Sequence, residues 1–215
     1  MPDSRAVDAL RDSPVAGLIR TARLIAILRQ IEPQTRLLDL VDVLVGDGVL
    51  VMEVTFDSPN AAEDLVAARR RLDEGGRGDV AVGAGTIRTA DALRAAVDAG
   101  AAFAVSPTLD LALVEQSIAL GLPIIPGAYS PTEIDQAWQG GATFVKVFPA
   151  SSLGPAHVRE MRGPFPDIEV IATGGVDASS AAAFLRAGCV AVGVGSALTN
   201  ADPAARRALI AAVSP

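Results

Sequence analysis

One pattern constrains this chain more than any other. A short apolar run, a turn and an alanine-rich stretch recur eight times within 215 residues. The runs are Leu24–Leu28, Leu50–Thr55, Val80–Ala84, Ala102–Val105, Pro123–Ile125, Thr143–Phe148, Glu169–Ala172 and Val190–Val194. They are nearly continuous in hydrophobic residues, as strands are when helices cover both faces of a parallel sheet. Between them lie helical stretches such as Thr35–Val45, Ala61–Leu72, Ala90–Ala99, Leu109–Leu120, Pro131–Gln139 and Ser179–Ala187. Ser58-Pro59-Asn60, Ser130-Pro131 and Asp177 supply helix-opening chemistry. Gly100, Gly121, Gly140 and Gly188 supply stops. Eight strand–helix units with no linker or shift in composition predict an α/β fold, a (β/α)8 TIM barrel. It spans 21–215 as one domain, with an extra N-terminal helix in 1–20, from Val7 to Ile19. An open doubly wound sheet is the alternative, but it usually has fewer strands.

Bulk properties narrow the function. Half the residues are apolar and the net charge is -7, which disfavours nucleic acid as a partner because phosphate backbones need a basic face. A small anionic substrate needs only a local positive site and stays open. No apolar run approaches the ~18 residues of a membrane span, and residues 1–20 lack a signal-peptide pattern. These features point to a soluble cytoplasmic protein without membrane partners. The lone Cys189 reads as a small buried hydrophobe, and the lone His157 as a residue on a helix surface. One His and one Cys make a His/Cys metal site improbable, and neither a metal nor a cofactor is expected.

The basic residues carry the sharpest signal. Seventeen are arginines and one is a lysine, Lys146, inside Thr143-Phe144-Val145-Lys146-Val147-Phe148-Pro149. Lysine alone of the two loses its proton at an accessible pH and attacks carbonyls as a free amine. Apolar surroundings favour that by penalising the ammonium. The plainer reading is a lysine that snorkels from a strand end or pairs with a buried carboxylate. Strand alternation puts Phe144, Lys146 and Phe148 on one face and Val145 and Val147 on the other.

Glu53 is the second anomaly, a carboxylate ending Val49-Leu50-Val51-Met52-Glu53-Val54-Thr55. It reads either as half of a structural ion pair or as a general acid/base beside an amine nucleophile. Arg29 ends the first strand and Thr86 follows the third. Both suit a carboxylate, the arginine through its planar fork and the threonine through its hydroxyl. Arg29 could equally be solvated. Thr173-Gly174-Gly175 and Gly193-Val194-Gly195-Ser196 follow the seventh and eighth runs. Barrels hold phosphate at that place, on backbone amides exposed by glycine; tight turns alone are the other reading.

Together these residues resemble the class I aldolases of 2-keto-3-deoxy-6-phosphogluconate and its galactonate epimer, a family that includes 4-hydroxy-2-oxoglutarate aldolase. The resemblance runs over nearly the whole chain after residue 20. It is carried by Glu53-Val54-Thr55, Gly83-Ala84-Gly85-Thr86, Val105-Ser106-Pro107, Ile125-Pro126-Gly127, Val145-Lys146-Val147-Phe148-Pro149-Ala150, Thr173-Gly174-Gly175-Val176 and Gly195-Ser196. It implies a homotrimeric barrel, a Schiff-base lysine at Lys146 and a proton-transferring glutamate at Glu53. It implies phosphate on Gly174, Gly175, Gly195 and Ser196, and pocket walls from Pro107, Phe148 and Thr173. The implied ligands are a phosphorylated keto acid and pyruvate. The gluconate-type enzymes carry a carboxylate-binding arginine where this chain has Asp57, in Phe56-Asp57-Ser58-Pro59. The galactonate-type enzymes, like this chain, have Ile-Leu-Arg at the end of strand one. Arg29 is therefore the expected replacement, and the preference between C4 epimers stays open. Rival readings are another phosphate-binding barrel, such as an isomerase or a thiamine-pathway synthase, and a barrel without catalytic function.

Overall fold

A computed structural model describes residues 3–214. Residues 1, 2 and 215, at the edges of the expected domain, lie outside the described residues. Nine strands run in parallel: β1 (Leu24–Leu28), β2 (Val51–Thr55), β3 (Ala81–Gly85), β4 (Ala104–Val105), β5 (Ile124–Ile125), β6 (Gly127–Ala128), β7 (Val145–Val147), β8 (Val170–Thr173) and β9 (Ala191–Val194). Their order is β5-β4-β3-β2-β1-β9-β8-β7-β6. The two ends of that order are one stretch of chain, because only Pro126 separates β5 from β6. On one side of this stretch, Ala104 and Ser106 donate to the carbonyls of Pro123 and Ile125. On the other, Thr143, Lys146 and Phe148 donate to Ile124, Pro126 and Ala128. The fifth expected strand is thus one stave broken at a proline, which has no N–H to give. The eight-stave barrel closes through it.

The helices are α1 (Ser4–Arg11), α2 (Pro14–Ala22), α3 (Gln34–Gly46), α4 (Ala61–Glu74), α5 (Ala90–Asp98), α6 (Leu111–Ala119), α7 (Pro131–Gln139), α8 (Ala150–Met161), α9 (Ala181–Ala187), α10 (Ser196–Thr199) and α11 (Pro203–Val213). Two results differ from the sequence reading. The single N-terminal helix from Val7 to Ile19 is in fact α1 and α2, broken where Ser13 caps α2 and Pro14 takes its first turn. Proline suits a first helical turn and not an interior. The helix α8 carries Gly154 at φ 75° followed by Pro155, a pair that hides the helix from a sequence reading. Ser130 caps α7 as the sequence suggests, and Glu133 reaches back to complete a capping box.

Alternation along the staves sorts the apolar residues into two cores. Val145 and Val147 join the large shell between strands and helices. Ile25, Val51, Phe103, Val105, Ile125, Phe144, Ile171 and Ala191 fill the barrel. Ala16 and Ile19 of α2 belong to this inner cluster, so α2 plugs the N-terminal mouth. Arg20 fixes the plug by a two-pronged contact with Glu169, at 2.8 Å from Nε and 2.6 Å from Nη2. The plugged end leaves the opposite end as the open one.

Gly83 shows how tightly the interior is filled. A Cβ there would lie 2.6 Å from the Phe103 ring, well inside contact distance. Gly83→Ala is expected to cost ~1–3 kcal/mol, the usual penalty for overpacking, read as a lower midpoint in urea unfolding. Adding Phe103→Leu should recover part of the loss. Wild-type stability in the single variant would show that the ring is free to move.

Candidate active site

At the C-terminal end of the strands opens a cavity of about 850 Å³, within the roughly 300–1,000 Å³ span of small-molecule sites. Ten of the residues singled out in the sequence line it: Arg29, Thr86, Pro107, Lys146, Phe148, Thr173, Gly174, Gly175, Gly195 and Ser196. Glu53 lies one level deeper. It shares a small enclosed space with Lys146, Thr173, Gly193, Ile27 and Ile125. Lys146, Thr173, Gly193 and Ile27 border both the open cavity and this inner space, and Lys146 is the one ionisable group among them.

Lys146 and Glu53 are only 4% and 2% exposed. Burial pushes the Lys146 ammonium below the ordinary lysine range, with the Glu53 charge opposing that shift and Arg29 adding to it. Burial likewise pushes the Glu53 carboxyl above the usual carboxylate range, against the pull of Lys146 and Arg29. Desolvation is the largest cause at both residues, so burial moves each group toward its neutral form. Lys146 Nζ stands over the Phe148 ring, 4.6 Å from its centroid. The ring gives the amine a polarisable wall and no acceptor.

Glycines make room for these groups. A Cβ on Gly85 would lie 2.6 Å from Glu53 Oε1, and one on Gly193 would lie 2.5 Å from Thr173 Oγ1. Gly85 ends β3 and is followed by Thr86 at φ 58°, a left-handed conformation uncommon for a branched residue. Such residues concentrate at functional sites. In this conformation Thr86 Oγ1 accepts from Arg29 Nη2 at 3.2 Å, while Arg29 Nη1 donates to Asp57 Oδ2 at 2.5 Å. The sequence treated Asp57 only as a departure and missed its role as the second anchor of the Arg29 fork. The Arg29 side chain is half exposed, at the rim and not on the floor.

The opposite side of the cavity is glycine loop. Gly174 and Gly175 adopt φ 92° and 73°. The carbonyl of Gly174 accepts from Ser151 N at 2.9 Å, and a Cβ on Gly175 would meet Ser151 Cβ at 2.5 Å. The loop therefore presses onto the start of α8 while both glycines line the cavity. Gly195 and Ser196 open α10 beside it, and helix-start amides have no intrahelical acceptor. Arg36, Asp177 and Asn200 also line the cavity. Asp177 reads in the sequence only as a helix opener, and Arg36 and Asn200 carry no signal there, because their relevance depends on where neighbouring loops come together.

Elsewhere, Cys189 is buried, and desolvation pushes its thiol up to about 12, in keeping with a packing role. His157 departs from its reading as a surface residue: it is half-buried, with Nε2 unpartnered. It borders a small enclosed space together with Val158, Met161 and Phe165. Among the described residues no three His, Cys, Asp or Glu side chains are grouped to hold a metal ion. No helix among them is long and apolar enough to cross a membrane.

Comparison with known proteins agrees with this arrangement. Residues 15–211 match the family described as "Aldolase: KDPG and KHG aldolase". The chain is 37% identical over 66% of each chain to a 2-dehydro-3-deoxy-phosphogluconate aldolase of Treponema pallidum. It is 31% identical to the 2-dehydro-3-deoxy-6-phosphogalactonate aldolase of Escherichia coli K12, over 86% of this chain and 88% of the other. A KDPG aldolase structure from Legionella pneumophila, with pyruvate captured as a covalent carbinolamine intermediate, superposes with a TM-score of 0.78 at 26% identity. The match covers 94% of this chain and 99% of that one.

The shifted Lys146 generates a pH prediction. An ordinary lysine titrates near pH ~10.4, so its reaction with an amine-directed acylating reagent falls about tenfold for each pH unit below that. Lys146 is expected to keep its reactivity to lower pH, read by mapping the one lysine-containing peptide. The Glu53 charge raises the Lys146 pKa, so Glu53→Gln should move the half-point lower still. A half-point at the ordinary lysine value in the wild-type protein would contradict the downward shift.

Proposed function

The chain belongs to the KDPG and KHG aldolase family, and on that premise we propose that it is a class I aldolase. It cleaves a 2-keto-3-deoxy-6-phospho sugar acid to pyruvate and glyceraldehyde 3-phosphate. The observation that carries the reading is the buried pairing of Lys146, driven toward the free amine, with Glu53, driven toward the protonated acid.

The steps follow from those two groups. Lys146 Nζ adds to the C2 carbonyl of the substrate, giving a carbinolamine, and loss of water leaves a protonated imine. That cation draws electrons from the C3–C4 bond as Glu53, through a water, takes the proton of the C4 hydroxyl. The bond breaks, the aldehyde leaves and an enamine remains on Lys146. Glu53 then returns its proton to C3, and water hydrolyses the imine to release pyruvate and the free lysine. The iminium serves as the electron sink. Glu53 works in both directions because burial places its proton affinity nearer neutrality than that of a solvated carboxylate, the condition for an efficient acid–base pair.

The remaining residues bind. Arg29 and Thr86 hold the substrate carboxylate, Arg29 taking the place of the strand-two arginine that Asp57 displaces. Gly174, Gly175, Gly195 and Ser196 receive the phosphate. Pro107, Phe148 and Thr173 wall the pocket between the two ends. Their common place on one cavity supports these roles. We further propose that the enzyme acts in the cytoplasm as a homotrimer. Its mass in solution tests the assembly.

Three outcomes test the chemistry. Borohydride reduction with pyruvate should leave one pyruvyl adduct on the peptide that contains Lys146, and Lys146→Arg should abolish both adduct and cleavage. An adduct confined to the N-terminal amine would end the imine mechanism. Glu53→Gln should still trap pyruvate while cleavage falls ~10²–10⁴-fold, the range for loss of a general acid–base group; an undiminished rate would make Glu53 structural.

The Arg29 assignment has its own test. Arg29→Ala should raise KM by about one to two powers of ten, corresponding to one charge-assisted bond, with folding intact. Arg29→Lys should rescue only part of that, because the fork is lost. An unchanged KM would remove Arg29 from the carboxylate site.

A further inference from the structure

Among the described residues lining the main cavity, the charged side chains are Arg29, Arg36, Lys146 and Asp177. Three are committed. Arg29 spends one prong on Asp57 and another on Thr86. Lys146 is driven toward its neutral form by burial. Asp177 Oδ1 accepts from the hydroxyls and amides of Ser179 and Ser180, and those bonds hold its carboxyl below the usual carboxylate range. Asp177 is thus a fixed negative charge directly after the Gly174-Gly175 loop, on the side where the phosphate is placed.

A dianionic phosphate beside that aspartate needs a full positive charge in addition to amide dipoles. Arg36 is the one arginine of the cavity, among the described residues, that makes no ion pair. It is exposed and stands in the first turn of α3, which follows β1. Topology brings it to the right side. β1 pairs with β9, so the loop leading to Arg36 and the turn at Gly195-Ser196 leave adjacent staves, and α10 packs on β1. Ile31, before α3, and Thr199 and Asn200, at the end of α10, line the same cavity wall as Arg36.

We propose that Arg36 is a substrate-binding residue that selects for the phosphorylated end of the substrate, its guanidinium closing over the phosphate opposite the glycine loops. This rests on the aldolase reading above. An arginine fork binds two phosphate oxygens at once. Arg36 belongs to the β1–α3 side of the rim and takes no part in the imine chemistry. Its contribution therefore falls on recognition and is specific to substrates that carry the phosphate.

The test compares wild type with Arg36→Ala, Arg36→Gln and Arg36→Lys on a 2-keto-3-deoxy-6-phospho sugar acid and on unphosphorylated 4-hydroxy-2-oxoglutarate. Borohydride trapping with pyruvate is measured in parallel. Arg36→Ala and Arg36→Gln should raise KM for the phosphorylated acid about tenfold to a hundredfold, the effect of one charge-assisted contact, with kcat little changed. Inhibition by inorganic phosphate should weaken in parallel, and Arg36→Lys should recover part of both. Cleavage of the unphosphorylated acid and the yield of pyruvyl adduct should match wild type. An unchanged KM for the phosphorylated acid, or equal losses on both substrates, would overturn the assignment. Absence of any pyruvyl adduct in the wild-type protein would instead overturn the aldolase reading, so the two failures are distinguishable.

Discussion

The chemistry of this protein depends on the burial of two opposite ionisable groups inside a closed barrel. In water a lysine and a glutamate at neutral pH are both charged. Within the staves, Glu53 and Lys146 lose hydration that their mutual attraction does not fully replace. Both pKa values therefore move toward neutrality: the lysine releases its proton more easily and the glutamate holds its proton longer. A nucleophilic amine and a reversible proton carrier are the two ends of the same desolvation. Closure of the barrel at Pro126, the α2 plug and the fill of Phe103 and Phe144 all serve to keep water from the far side of that pair.

Small residues are the counterpart of that burial. Gly85 and Gly193 leave the space that Glu53 and Thr173 occupy, and Gly83 leaves the space of the Phe103 ring. The interior alternates between bulky residues that exclude water and missing side chains that admit functional ones. At the rim the logic changes to solvent-exposed charge. Arg29 is held between Asp57 and Thr86, which orients a flexible side chain in advance and reduces the entropy lost on binding an anion. Asp57 pairs with the fork and does not stand alone against an incoming carboxylate.

Much of the fold was legible because its signals are local. Apolar runs at regular spacing, helix stops at Gly100, Gly121 and Gly188, and the cap at Ser130 each report on a few neighbouring residues. The two misses were local conflicts. Ser13-Pro14 divides what an apolar period reads as one helix, and Gly154-Pro155 kinks α8 where Gly154 leaves helical geometry. His157 was misplaced for a related reason. Its polarity suggests the surface, while the placement of α8 leaves it half-buried beside a space shared with Met161 and Phe165.

The sequence by itself determined which chemistry was available. A chain with one lysine, set in an apolar strand, and one carboxylate interrupting another such strand has few ways to use them, whatever the details of packing. It also determined where the backbone must bend, since left-handed turns at Gly174 and Gly175 suit residues without a side chain. The tertiary structure alone decided which groups share a space. That Lys146 bridges the open cavity and the inner chamber, that Asp57 grips Arg29, and that Arg36 faces the same cavity as Ser196 follow from the stagger of staves and the paths of the loops. Those depend on contacts between residues far apart in the chain, and no local periodicity encodes them.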